Sequence, residues 1–301
     1  MREPASIPGQ PRTRRRSRQA GGLLIVSSLP DLTAELEAAQ EAARRGGEIL
    51  QRFQQSGARY GWKQSSDRQH WSGRGFSYEV VSEANVEVDA ALRETLLGAF
   101  PEDAWLSEEA HDDRERLLHR RVWIVDPLDG TREFLQGVPE YAVSIALALN
   151  GRAVMGVVYN PEEDEMFAAT IGSYDGRFNL ESTSSLSESY MLVGRGEWHY
   201  GDLPPVPDGT KVMPVGSIAY RMALLATGKG CLVFTPGRRS EWDLAAGAAL
   251  LGAAGATVTD IDGKPLQFNQ AEPSVRGLIA ARSNIHEEAR RMWQNSGWQI
   301  R

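Results

Sequence analysis

Between residues 31 and 53 apolar positions recur at helical spacing, with Leu32, Leu36, Ala39, Ala43 and Leu50 along one stripe. The pattern predicts an amphipathic helix laid against a core, and Asp31 can cap its first turn. From Tyr60 to Tyr78 the periodicity dissolves into Gly, Ser and charges around Trp62, Lys63, His70 and Trp71, which predicts a long flap. A second helix is expected over residues 83–99, with Val86, Ala90, Leu96 and Leu97 inward and Pro101 preventing its continuation. A short strand then leads to Ser107, and residues 121–125 form a compact β-type run. Two further runs, 142–149 and 153–159, flank Asn150 and Gly151, a two-residue hairpin signal. Beyond about Ile171 short strands and helices alternate, at 191–193, 218–227, 231–234, 241–254 and 277–281.

This order of elements predicts a mixed α+β and α/β chain in two lobes, residues 29–170 and 171–301, preceded by a tail over 1–28. The chain of 301 residues, 41% hydrophobic and 24% charged, has the composition of an ordinary globular protein and is long enough to enclose a cleft between two lobes. It has no apolar stretch long enough to predict a membrane span. Cys231 is the sole cysteine, which excludes an intramolecular disulfide, leaves a thiolate metal site unsupported and fits a cytoplasmic setting. The net charge of −7 argues against broad nucleic-acid binding. Residues 1–18 nevertheless hold six arginines against one glutamate, and with Pro8, Pro11, Gly21 and Gly22 they read as a disordered basic tail or an arm for an anionic partner.

The most informative segment is WIVDPLDGT, Trp123 to Thr131, where Asp126 and Asp129 follow an apolar strand and precede a turn. Pro127 fixes the backbone, so the Leu128 carbonyl can point with the two carboxylates and offer the hard oxygen ligands that Mg²⁺ requires. Gly130 permits close backbone approach, and a short helix can start at Thr131 and stop at Gly137, its amide end suited to a phosphate. The same two aspartates are equally compatible with a strand end and a helix cap. LSEE, Leu106 to Glu109, and EWDLAAG, Glu241 to Gly247, each add a carboxylate; alone, Glu108 and Glu109 fit a solvated loop and Asp243 a helix N-terminal acid.

LSEE, DPLDGT and EWDLAAG in this order, with GVVYNP at Gly156 to Pro161, resemble the metal-dependent phosphomonoesterases that include inositol monophosphatases and 3′(2′),5′-bisphosphate nucleotidases. The resemblance implies a layered αβαβα sugar-phosphatase fold, with a metal-binding first lobe, a substrate-binding second lobe and the active site between them. It further implies that Glu108, Asp126, the Leu128 carbonyl, Asp129 and Asp243 hold two or three Mg²⁺ ions. Thr131 would orient the attacking water. Lithium inhibition and a homodimer belong to the same expectation. One departure stands out: the family's VTxAD segment is VSEAN here, so Asn85 replaces an aspartate that pairs with the residue matching Thr131. An amide accepts a hydrogen bond but adds no charge, so replacing Asn85 by Asp is expected to raise turnover or lower the Mg²⁺ needed, unless Asn85 is simply a helix N-terminal residue and Glu83 or Asp89 supplies the missing charge.

Specificity should then come from the second lobe. Gly216, Ser217 and Tyr220 lie in GSIAY, similar to the family's substrate loop, although Ser217 also suits a helix cap. Arg238 and Arg239 would suit a second substrate phosphate or a solvated loop, and Glu241 a sugar hydroxyl. His111, His119, His199 and His286 carry no ligand spacing and are expected at the surface. The expected substrate is a small phosphate ester, with a 3′(2′),5′-bisphosphate nucleotide or similar phosphorylated nucleoside favoured over an inositol or sugar phosphate. A catalytically weakened metal-binding scaffold with a basic arm, or an enzyme of sugar bisphosphates, remain the alternatives.

Overall fold

A computed structural model describes residues 30–56, 60–64, 78–173, 177–178, 180, 185–206 and 208–297. The basic stretch 1–28 lies outside the described residues, as do His70, Trp71 and the side chains of Trp62 and Lys63. The chain from Leu32 onward forms one compact unit.

Its first half runs α1 (Thr33–Ser56), β1 (Tyr60–Gln64), β2 (Tyr78–Ser82), α2 (Glu83–Ala99), β3 (Ala104–Ser107), β4 (Arg121–Asp129), α3 (Thr131–Gln136), β5 (Ala142–Leu149), β6 (Arg152–Asn160) and β7 (Glu165–Thr170). The second half runs β8 (Tyr190–Gly194), α4 (Arg195–Tyr200), β9 (Lys211–Val215), α5 (Ile218–Ala226), β10 (Leu232–Ser240), α6 (Glu241–Ala253), β11 (Thr257–Thr259), β12 (Ser274–Ala281) and α7 (Ser283–Asn295). β1 and β2 pair with each other, while the other strands form two five-stranded sheets in the orders β3-β4-β5-β6-β7 and β11-β12-β10-β8-β9. The Asn150–Gly151 turn has φ of 50° and 78°, the left-handed pair a tight hairpin needs, and joins β5 to β6 as expected.

The layers follow from which faces are apolar. α1 and α2 pack together and onto the first sheet, α5 and α6 pack together, and α6 also meets β4, β5, β6 and β7. α7 contacts β11 and β12. Strand alternation divides the second sheet: Leu192, Val233, Leu278 and Ala280 join the central core with α5 and α6, whereas Met191, Leu232, Phe234, Ile279 and Ala281 pack with Ile285 and Ala289 of α7. The result is the expected αβαβα layering.

α6 is the spine of this arrangement. Leu244, Ala245, Ala246, Gly247, Ala249, Leu250 and Leu251 are all buried, so this helix is apolar around most of its circumference and lies within the protein. Its small residues allow close approach: a side chain on Gly156 of β6 would overlap the Ala246 carbonyl, and one on Gly247 would come within 2.5 Å of Met222.

Several expectations are corrected by packing. In α2 the buried apolar positions are Ala84, Val88, Ala91, Leu92 and Leu96, whereas Val86 and Ala90 are exposed, because the helix is turned to face α1 and β4. His286 is buried, its Nε2 2.9 Å from the Thr259 hydroxyl; the apolar stripe of α7 carries it inward, while His111, His119 and His199 are exposed. Among the described residues no helix is long and apolar enough to cross a membrane.

The close contact of α6 with β6 predicts that Gly156→Ala destabilises the protein by about 1 to 3 kcal/mol, read from denaturant midpoints. Gly98→Ala, on an exposed turn of α2 with open space around it, should be neutral or stabilising by up to about 1 kcal/mol. Equal loss in both variants would refute the packing account.

Candidate active site

Three strands of the second sheet, β8, β9 and β10, run parallel, as do β3 and β4 of the first. Their C-terminal ends meet at a cavity of about 330 Å³ lined by Glu108, Asp126, Leu128, Asp129, Gly130, Thr131, Glu133, Gly216, Arg239 and Asp243 among others. Crevices beyond strand C-termini are the usual ligand sites of such sheets. α3, α4, α5 and α6 also begin here, and the longer α5 and α6 turn their positive amide ends toward it.

Each carboxylate is placed by its own local structure. Asp126 is buried on β4, and its Oδ1 accepts the Leu128 N–H at 2.9 Å. The β4–β5 register shifts between Asp126 and Asp129, so the Pro127–Leu128 step departs from the ladder and both acids turn to the cavity. Asp129 Oδ2 accepts the Ser217 hydroxyl at 2.5 Å and the Ala219 N–H at 2.6 Å, so it holds the start of α5. Asp243 Oδ2 accepts the Ser240 N–H at 3.0 Å, closing a capping box on α6. The cap role and the cavity role therefore coexist: one oxygen of each aspartate is held by the protein, and the other has no hydrogen-bond donor among the described residues. Glu108 is exposed at the lip, just beyond β3.

Crowding these acids is costly. Burial and then the charges of Glu108, Asp129 and Asp243 raise the Asp126 carboxyl well above the usual range. Burial and then Asp129 push Asp243 up to about 7. Asp129 is also raised by burial, with Ser217, Ala219, Arg221 and Arg239 opposing. Among the described residues no three His, Cys, Asp or Glu side chains already converge as ligands of an ion do. The all-oxygen donor set nevertheless fits a hard divalent cation, because each aspartate keeps one oxygen without a protein donor and their mutual repulsion demands positive charge.

The remaining expected site residues divide between cavity and support. Gly130, with φ of 94°, caps α3, and the Thr131 hydroxyl donates to the Leu128 carbonyl at 3.1 Å. Asn85 is buried on α2, and its Nδ2 donates to Glu109 Oε1 at 3.1 Å; the Thr131 proton expected to reach Asn85 goes to Leu128 instead. One turn along α2, Asp89 accepts from the Ser107 hydroxyl, so the same helix face grips both ends of the Ser107–Glu109 loop. Ser217 caps α5 by accepting the Tyr220 N–H at 2.9 Å. Tyr220 does not line the cavity, because its hydroxyl donates to Glu165 at 2.6 Å. Glu241 does not line it either: buried, it accepts the Asn269 and Gln270 N–H groups at 2.6 and 2.8 Å. Arg238 is exposed and bonds Ser274, whereas Arg239 reaches the cavity.

Sequence reasoning missed Glu197 and Arg221, which also line the cavity. Burial would raise Glu197, yet the guanidiniums of Arg239 and Arg221 outweigh it and hold the carboxyl low. Arg221 follows GSIAY directly, which is the one signal that could have found it.

The model of the inositol monophosphatase family matches residues 31–296. An inositol-1-monophosphatase of Rhizobium meliloti is 34% identical over 207 residues, 63% of this chain and 76% of that protein. A 3′-phosphoadenosine 5′-phosphate phosphatase of Mycobacterium bovis is 32% identical over 216 residues, 66% of this chain and 76% of that protein. The crystal structure of the extragenic suppressor protein suhB from Bartonella henselae aligns with a TM-score of 0.70 at 26% identity, over 87% of this chain and 99% of that one.

The raised acids set the sign of a pH effect. Between the unfolded carboxyl range, near 4, and the folded value of about 7, Asp243 holds a proton that the unfolded chain has lost. Stability of the chelator-treated protein should therefore fall as pH rises through that window, by on the order of 1 kcal/mol per pH unit, and level off above it. Asp126→Asn should flatten the fall and Mg²⁺ should reverse it; a melting midpoint indifferent to pH in chelator would contradict the crowding account. Asn85→Asp removes the donor to Glu109 and sets two carboxylates against each other, a cost absent from the sequence expectation of a simple gain. That variant should melt lower than wild type in chelator and recover more with Mg²⁺, as thermal scans at several Mg²⁺ concentrations would reveal.

Proposed function

We propose, on the premise that the chain belongs to the inositol monophosphatase family, that it is a Mg²⁺-dependent phosphomonoesterase whose reaction takes place in the carboxylate-lined cavity. That it is a phosphatase, a hydrolase of phosphate monoesters, follows from the family and its named relatives. The family's chemistry depends on metal ions; the identity of the metal, the count of two or three, the homodimer and the cytoplasmic setting belong to the proposal. The observation carrying it is the meeting of Glu108, Asp126, Asp129 and Asp243 in one cavity.

In this reading Glu108, Asp126, the Leu128 carbonyl, Asp129 and Asp243 are the metal ligands. Mg²⁺ held there supplies Lewis acidity toward the phosphoryl and leaving oxygens and acidifies a nearby water. Thr131 has a distinct role. Its proton is committed to the Leu128 carbonyl, so its oxygen is left to accept a hydrogen bond from the attacking water. A water held this way turns a lone pair away from Thr131 and toward the phosphorus. Gly130, without a side chain, leaves the α3 amides open to the phosphoryl group. Asn85 acts one step away, by holding Glu109 beside Glu108.

The favoured substrate is a phosphorylated nucleoside such as a 3′(2′),5′-bisphosphate nucleotide, with an inositol phosphate second. Glu241 is buried away from the cavity lining, with each oxygen held by a backbone amide, so it does not face a sugar hydroxyl there, which weakens the inositol reading.

Phosphate release from bisphosphate nucleotides, nucleoside monophosphates and inositol phosphates tests this, with Mg²⁺, with chelator and with Li⁺. Activity should require Mg²⁺, and Asp126→Asn or Asp243→Asn should lower kcat/KM by about 10³-fold or more while leaving the fold intact. Full activity in chelator, or in either variant, would remove the proposal.

A further inference from the structure

Facing the carboxylates across the same cavity is a cluster of opposite character. Arg221, in the first turn of α5, has a side chain only 3% exposed. Its Nη1 and Nε make long bonds, both 3.4 Å, to Glu197 Oε2 and the Ser217 carbonyl. Its Nη2 has no protein acceptor among the described residues and lies beside Gly194, where a side chain on that glycine would come within 3.4 Å of it. Arg239, near the end of β10 and 15% exposed, donates Nη2 to Glu197 Oε1 at 2.5 Å. Glu197 itself, 5% exposed on α4, is saturated: it also accepts the Gly194 N–H at 2.9 Å and the Thr235 hydroxyl. Arg195 also lines the cavity, but it is matched two-to-two by Glu140 at 2.5 Å and contributes no excess charge.

Two guanidiniums therefore share one carboxylate, and the remaining positive charge is recessed in a wall of the cavity. A structural ion pair needs one arginine; a second, buried with an open donor, costs stability unless an anion joins it. Part of that charge faces Asp129 and Asp243, but cations on those acids would release it. We propose that Arg221 and Arg239, positioned by Glu197, form a second anion subsite, so that the substrate is a phosphate monoester bearing another phosphate or a carboxylate on its alcohol part.

The inference rests on the phosphatase reading, so its test has two arms. In the first, the full chain with Mg²⁺ is given ester pairs differing only in the second anion: adenosine 3′,5′-bisphosphate against adenosine 3′-monophosphate, and 3-phosphoglycerate against glycerol 3-phosphate. Wild type should prefer the doubly anionic member of at least one pair by about tenfold or more in kcat/KM, and the pair concerned tells phosphate from carboxylate. Arg239→Gln should cut that ratio by about tenfold and Arg239→Lys should restore part of it. In the second arm, sulfate is added to the Mg²⁺-loaded protein, where it should raise the melting midpoint of wild type by about 3 °C and that of Arg239→Gln by less than half as much. Esters hydrolysed without preference for a second anion, or a ratio unchanged in Arg239→Gln, would overturn the subsite while leaving the phosphatase reading intact. Sulfate stabilisation that depends on Arg239 in a protein that hydrolyses no ester would retain the subsite and remove the phosphatase reading. Equal sulfate response in wild type and Arg239→Gln, zero included, counts against it.

Discussion

Mutual repulsion among recessed carboxylates is the constraint around which this protein is built. Asp126, Asp129 and Asp243 come from a strand interior, a strand end and a helix start, and each would be easier to expose than to gather. The fold offsets part of the cost with backbone and hydroxyl donors, giving Leu128 N–H to Asp126, Ser217 and Ala219 to Asp129, and Ser240 N–H to Asp243. These donors also limit what each acid can do. One oxygen is held in place and the other is left without a protein donor, so the direction from which each acid approaches a shared ligand is set by the backbone.

The central helix ties that site to the core. α6 can lie between the two sheets only because Ala246 and Gly247 present so little bulk to β6 and α5. The same helix delivers Asp243 within its first turn and begins where Arg239 and Ser240 end β10. A shift of α6 by a fraction of an ångström would therefore disturb packing and carboxylate geometry together. Stability and site precision share one element here.

What could be read from the chain in advance was whatever is local. DPLDGT specifies its own strand end, ligand-like carbonyl and helix start within a few residues, and the structure places Asp126, Leu128, Asp129, Gly130 and Thr131 together at the cavity. LSEE and EWDLAAG were legible for the same reason. Tertiary partners were not. Tyr220 and Glu241 sit in the right segments, yet Glu165 and the Asn269–Gln270 amides, far away in sequence, draw them elsewhere. α4 and α7 escaped the pattern because one is a single short turn and the other follows a loop-rich stretch whose apolar stripe includes a histidine. Glu197 gave no signal, since an acid in GEWHY acquires meaning only when α5 and β10 bring arginines to it.

The cavity's two poles also explain why both sheets are needed. β3 and β4 lead Glu108, Asp126 and Asp129 to the cavity, whereas β8, β9 and β10 end near arginines or at turns leading to them; Asp243, which starts α6 just after β10, is the one of the four acids that arrives from the arginine side. Direct pairing of Arg221 and Arg239 with Asp129 and Asp243 would neutralise both acids and leave nothing for a ligand. Glu197 prevents that collapse: by holding both guanidiniums on its own side, it keeps them near Asp129 and Asp243 without a salt bridge to either among the described residues. In the proposed reading, the separation would keep the anionic pole for cations and the cationic pole for the anion that accompanies them. On that same reading, a charge-divided cleft of this kind suits a ligand assembled from both signs, as a phosphate ester accompanied by Mg²⁺ would be.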